Sequence, residues 1–290
     1  MKKNEMIFYQ LLRDYLNDYL VTRRNFSTKT IRAYRQAFVL LRHYCFEVKG
    51  IRFDQMDFSC FSRGYVYDFL VWLRDTRGNS ASTINLRLSA IKSFLKFCGE
   101  EEMELMPLYL EVAGIHAFRG TQKMSVDYLT PKQLKLLFSL PDMTTRLGRR
   151  DRLFMILAYE SGARMQELLD MRLNGILRSD TGVRIRVYGK GNKIRYVPLL
   201  KTTVKHLDAY LSEFHDGSSS EAFLFYTIHS GLQTQMSPGT VDCFLKKYGR
   251  IAHEVNSDFP QRLHAHMLRH SIAMSMYKNG IPISYIRDFL

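Results

Sequence analysis

Within the first hundred residues, apolar side chains recur at helical spacing in four separate stretches, which commits this part of the chain to a small bundle of amphipathic helices. The first runs from Ile7 to Val21, with Leu11, Leu12, Tyr15, Tyr19 and Leu20 as its stripe. The second opens at Ser27-Thr28, hydroxyl residues suited to capping exposed backbone amides, and aligns Ile31, Tyr34, Phe38, Leu41 and Tyr44. A third spans Tyr65 to Arg74 and is stopped by Gly78-Asn79-Ser80. The fourth begins at Ser82 or Thr83 and gathers Ile84, Leu88, Ile91, Phe94, Leu95 and Cys98. Opposite these stripes, the second helix carries Lys29, Arg32, Arg35 and Arg42, and the fourth carries Arg87, Lys92 and Lys96. A basic face serves equally as a solvated surface or as a surface for phosphates. Two of them in a chain of formal charge +14 favour phosphates, because each lysine or arginine that neutralises one releases a counterion.

The acidic run Glu100-Glu101-Glu102-Glu104 marks a change of character. With Gly114 and Gly120 following, residues 105–127 are expected to be a linker between a first domain, 1–104, and a second, 128–290. The second opens at Leu129-Thr130-Pro131, a cap followed by proline in the first helical turn. Helical patterning continues from Arg152 to Tyr159 and, after Ser161-Gly162, through Met165, Leu168, Leu169 and Met171. Two strand-like segments follow, Val183 to Val187 and Ile194 to Leu199. The turn residues between them, Gly189-Lys190-Gly191-Asn192, predict a β-hairpin with a lysine at its tip. Helices return at Thr203 to Phe214, Val241 to Val255 and His266 to Lys278, and a short one at Ile281 to Leu290.

A chain of 290 residues with 46% hydrophobic and 24% charged residues packs as a globular protein, not as a disordered tail. Cys45, Cys60, Cys98 and Cys243 are widely spaced in apolar surroundings, which predicts core thiols in a reducing compartment and no structural zinc site. The start Met1-Lys2-Lys3 leads into a segment with Glu5, Arg13 and Asp14 and lacks the apolar block of a secretory signal. No window reaches membrane-spanning length without charge, so a cytoplasmic location is expected.

Three clusters carry candidate chemistry. In Ser161-Gly162-Ala163-Arg164-Met165-Gln166-Glu167-Leu168, an arginine after a small-residue turn starts a helix and can aim a fork of donors at a phosphate. Taken alone, Arg164 serves equally as an ion-pair partner of Glu167. In Gly189-Lys190-Gly191-Asn192-Lys193, glycines flank a lysine. The spacing is not that of a nucleotide-binding P-loop, and a bare solvated turn reads as well. In His266-Met267-Leu268-Arg269-His270, His266 and Arg269 share a helix face while Met267 and Leu268 turn to the core. The two histidines are four apart, but the adjacent arginine and the lack of a neighbouring carboxylate argue against a metal.

These three boxes, with Val197-Pro198-Leu199 after the hairpin, resemble in order and spacing the motifs of the tyrosine recombinases, the phage integrase family. The resemblance covers essentially the whole chain. It implies a mainly α fold with a small β-hairpin or sheet, in the two-domain DNA-breaking-rejoining architecture: a helical, SAM-like core-binding domain and a mixed α/β catalytic domain. It implies site-specific cleavage and rejoining of double-stranded DNA through a 3′-phosphotyrosyl intermediate, with no metal or other cofactor. Arg164 and Arg269 match the two arginines that hold the phosphate, Lys190 the lysine that protonates the leaving oxygen, and His266 the histidine that assists proton transfer. Glu167 matches the acidic residue behind the first arginine, and His270 a supporting residue. Lys29, Arg32, Arg35, Arg87, Lys92, Lys96 and Lys193 are the expected DNA contacts.

The resemblance also places a histidine or tryptophan, and then the nucleophilic tyrosine, farther beyond the second arginine than the 21 residues that follow Arg269. Tyr277 and Tyr285 read as packing residues. The expectation is therefore a Xer-like recombinase without an arm-binding domain, represented by a chain that lacks the nucleophile and binds DNA without cleaving it. A monomer is expected for this chain and a tetramer on DNA for its full-length parent. The rival reading is a non-enzymatic accessory or regulatory protein on the same fold, and a third is a related topoisomerase.

Overall fold

The computed structural model describes residues 3–120, 127–189 and 193–290. It divides into two compact units, Met1–Gln122 and Lys123–Leu290. The first is helical. Its opening helix α1 (Lys3–Asp14) continues without a break into a π-helical segment, Tyr15–Arg23, in which Arg24 N–H donates to Tyr19 O at 2.9 Å. The apolar spacing explains the change of pitch. Leu11 and Tyr15 are four apart, but the next buried residue, Leu20, comes five later, and the wider turn keeps it on the core side.

Helices α2 (Thr28–Glu47), α3 (Arg63–Asp75) and α4 (Ala81–Glu101) are each capped by a serine hydroxyl, from Ser27, Ser62 and Ser80 respectively. The fourth helix thus starts earlier than expected, because Ser80 accepts from Thr83 N and acts as the cap rather than as part of a breaker. Phe94 is the hub of the core. The rings of Phe8, Tyr15, Phe38, Phe58 and Phe61 all lie within 6.4 Å of its centroid.

The expected linker, 105–127, requires correction. It contains α5 (Met106–Ala113), whose Val112 is buried with Ile115 in the first core, and Leu105, Leu108 and Phe118 pack against it. The run Leu105 to Val112 is apolar enough to seek cover, and glutamates before it do not prevent that. Residues 121–126 of that stretch lie outside the described residues.

The second unit surrounds a core in which Phe154 meets Phe225 and Phe244 edge to face. Helices α6 (Pro131–Ser139), α7 (Arg146–Ser161), α8 (Met165–Leu169), α9 (Lys201–Phe214), α10 (Pro238–Val255), α11 (Ala265–Lys278) and α12 (Ile283–Phe289) build it. Thr130 and Gln133 form a reciprocal cap on α6 around Pro131, as the sequence predicts. The hairpin strands are β2 (Gly182–Tyr188) and β3 (Ile194–Pro198), and β1 (Ile176–Ser179) adds a third antiparallel strand that the sequence reading missed. A second ribbon, β4 (Tyr226–His229) with β5 (Leu232–Gln235), was also missed. Both are only four residues long, too short for an alternating pattern to stand out. No described helix is long and apolar enough to cross a membrane. Cys45, Cys60 and Cys98 are buried as expected, whereas Cys243 is exposed on α10.

Candidate functional site

The site begins at the end of α7. Gly162 adopts φ +57°, the left-handed conformation that ends a helix at little cost only for glycine. Ser161 braces the turn by donating from its hydroxyl to Leu157 O at 2.5 Å and accepting from Ala163 N–H at 3.1 Å. A side chain at Gly162 would meet Leu290, Ile272 and Phe289, so the glycine also admits the end of α12. Arg164 follows as the cap residue of α8.

One carboxylate organises the next layer. Glu167 is buried and accepts from Arg164 twice, from the backbone N–H at 3.0 Å and from Nη1 at 2.8 Å, and from Arg195 Nη2 at 2.9 Å. Burial pushes the Glu167 carboxyl up, but the hydrogen bonds from Arg164 and Arg195 outweigh it and hold the group below its ordinary value. Arg164, Gly189, Lys193, Ile194, Arg195, Arg287, Asp288 and Leu290 line a cleft of about 420 Å³. Its four cations, Arg164, Lys193, Arg195 and Arg287, outnumber the acidic side chain on its lining, Asp288, a balance suited to an anion.

Arg269, on α11, donates to Gly162 O at 2.6 Å and to Leu290 O at 2.5 Å, which ties α11 to the turn before Arg164. Its guanidinium is pushed down to about 10 by burial first and then by the charges of Arg164 and Arg195, so it remains a cation at neutral pH. His266 lies one turn before it. Burial, then Arg269, His264 and Arg164, lower its pKa and favour the neutral ring, the form that can accept a proton. His270 is lowered for like reasons and meets His266 edge to face at 5.4 Å. Among the described residues, no group of three histidine, cysteine or acidic side chains gathers as a metal site would require.

Arg164, Glu167, His266 and Arg269 thus fall within one electrostatically coupled group, although His266 and Arg269 do not line the cleft itself. Lys190, expected at the hairpin tip, lies outside the described residues. Lys193, at the mouth of β3, is exposed on the cleft. Tyr277 and Tyr285 are 56% and 69% exposed, which corrects the expectation that they pack; on α12 it is Ile286 that is buried. No tyrosine is among the described residues that line the cleft.

The basic faces of the first unit separate into two kinds. Lys29, Arg32, Arg35 and Lys96 are exposed, with Arg35 donating to Asn17 Oδ1 at 2.9 Å and Lys96 3.7 Å from Glu100. Arg87 and Lys92 are instead half-buried and hydrogen-bond within the first unit. Arg87 donates to Ala33 O at 2.7 Å, and Lys92 to Ala113 O and Ile115 O at 2.9 and 2.7 Å. Burial lowers the pKa of both. Their position on the seam between apolar and polar faces of α4 left both uses open in the sequence.

Arg195 is the site residue that sequence reasoning passed over. On β3 it shares the inner side with buried Val197 and stands opposite buried Val187 on β2. An arginine on the inner face of a strand requires a counter-ion, and that parity was the available signal.

The phage integrase family model matches residues 127–290, and the model of the phage integrase N-terminal SAM-like domain matches residues 12–102. The tyrosine recombinase XerD of Staphylococcus haemolyticus is 28% identical over 284 residues, covering 97% of this chain and 89% of that protein. The tyrosine recombinase XerC of Bacillus pumilus is 26% identical over 284 residues, covering 94% and 85%. Among solved structures, XerH site-specific recombinase bound to difH substrate superposes with a TM-score of 0.67 at 18% identity, covering 99% of this chain and 82% of that one. A λ integrase dimer bound to a COC′ core site gives 0.67 at 16% identity, covering 97% and 90%. The two family models, the relatives and the shared fold agree that this chain belongs to the phage integrase family, the tyrosine recombinases.

Proposed function

We propose that the chain binds duplex DNA at a specific recombination site and presents a phosphodiester to the cleft between α8 and the β2–β3 hairpin. The observation that carries this is the shared carboxylate, Glu167, holding Arg164 and Arg195 on a cationic cleft, with Arg269 coupled to it through the Gly162 turn. Arginines fit this task because their planar forks match two non-bridging oxygens and stabilise the charge that grows in a pentacoordinate transition state. In the reaction, a tyrosine oxygen attacks phosphorus, the bond to the 5′-oxygen breaks, and that oxygen leaves with a proton. Neutral His266 supports the proton transfer on the attacking side, and Lys190 is assigned the leaving side from its motif. Exposed Lys29, Arg32, Arg35, Lys96 and Lys193 are proposed to contact the backbone.

With no tyrosine lining the cleft among the described residues, this chain is expected to bind without forming the covalent link. The test is to select the bound site from a random duplex library, then attempt covalent trapping on a nicked suicide version of it. This 290-residue chain and the product that its gene yields in its own host are compared. An adduct from the native product alone carries the recombinase reading. Specific binding by both and an adduct from neither turns the reading to an accessory protein on the same fold. An adduct from this chain overturns the expectation of a missing nucleophile, and Tyr285 is then the first residue to replace.

A further inference from the structure

Two guanidiniums share one carboxylate in the cleft. Glu167 Oε1 accepts from Arg164 Nη1, while Oε2 accepts from Arg164 N–H and from Arg195 Nη2. The side chains of Glu167 and Arg195 are 7% and 18% exposed, against 47% for Arg164, so both arginines line the cleft but Arg164 is the more open to it, and the more buried pair anchors it. Arg195 Nε is buried without a partner among the described residues. Added bulk at Gly189 would stand 3.6 Å from Arg195 Nη1 and 3.8 Å from Glu167 Oε1, so the hairpin backbone closes over this pair.

A carboxylate that meets a single arginine tends to close on it as a two-pronged pair, which cancels its charge and occupies the donors a phosphate needs. We propose that Arg195 is a positioning residue for phosphate capture: by holding Oε2 of Glu167, it keeps the carboxylate from closing on Arg164 and leaves the three-residue group one net positive charge. The proposal rests on the reading of the cleft as the phosphate pocket. It gives the β3 strand a part in the chemistry, since the strand's inner face fixes where Arg195 points, and through Glu167 where Arg164 points.

The test titrates inorganic phosphate into the whole chain, read by the NMR shifts of the His266 and His270 rings, with duplex binding and thermal melting in parallel. Arg195→Ala is expected to weaken phosphate binding about tenfold, as loss of a charge-assisted contact implies. Arg195→Lys, which keeps the charge and a donor, should recover most of it, and Arg195→Gln, which keeps a donor without the charge, should not. Phosphate affinity unchanged in the Ala and Gln variants overturns the proposal. Equal loss in Lys, Gln and Ala, tracking a common fall in melting temperature, also overturns it, because it marks a mere strut. Should the Ala variant fail to fold, the contrast between Lys and Gln decides. A wild-type chain that binds neither phosphate nor duplex instead defeats the reading of the cleft itself.

Discussion

At the scale of single residues, the site is governed by Glu167, a buried acid among cations. Its replacement by glutamine leaves Arg195 without its counter-ion, at an expected cost of about 2 kcal/mol, less than for a fully buried pair because Arg164 is half in solvent. The folded-state pKa of this carboxyl lies below its ordinary 4.5, so its contribution is complete above that value and is lost as pH falls through the folded-state pKa. Urea unfolding of wild type and Glu167→Gln should therefore differ at neutral pH and converge once the pH has fallen through that lowered value. A gap that persists in acid would place its origin outside the carboxylate. The residues that touch this acid were unequally visible in the sequence. Arg164 and Glu167 are three apart on one helix and announce each other, whereas Arg195 reaches Glu167 across 28 positions and shows itself only through strand parity.

Elements were readable where their ends carry their own chemistry. Ser27 and Thr130 mark helix starts because their hydroxyls bind amides three residues on, a purely local event. The short strands β1, β4 and β5 are held by pairing partners rather than by local pattern, and the π-helical turn follows from where Leu20 must point. Tertiary contact also decides the worth of individual glycines. At Gly148, in the first turn of α7, a methyl group would lie 1.9 Å from the Asp142 carbonyl oxygen, which belongs to a loop fixed by Thr145. Gly148→Ala should destabilise the protein by about 3 kcal/mol. At Gly64, in α3, nothing lies within 4 Å, and alanine should stabilise by about 0.5–1 kcal/mol through helix propensity alone. Calorimetric melting of the two variants checks the opposite signs; a melting temperature unchanged or raised in Gly148→Ala would show that the close approach there is relieved by movement of the loop.

For the molecule as a whole, formal charge overstates what reaches a nucleic acid. Of the 42 lysines and arginines, some serve internally, as Arg87, Lys92 and Arg149 do, the last through a forked pair with Glu213. If the exposed set Lys29, Arg32, Arg35, Lys96, Lys193 and Arg164 supplies the phosphate contacts, the plot of log affinity against log salt should have a slope of about −5. Arg32→Ala should reduce that slope by about 1, while Lys92→Met should leave it unchanged and lower the melting temperature instead. A slope that falls with Lys92→Met would return that residue to the DNA surface. The two hydrophobic cores, one centred on Phe94 and the other on Phe154, have no residue in common among the described residues, and separate family models match the two halves. Substitutions inside one core therefore leave the packing of the other untouched, so each half can drift, or be exchanged for a relative's, as a heritable unit of its own.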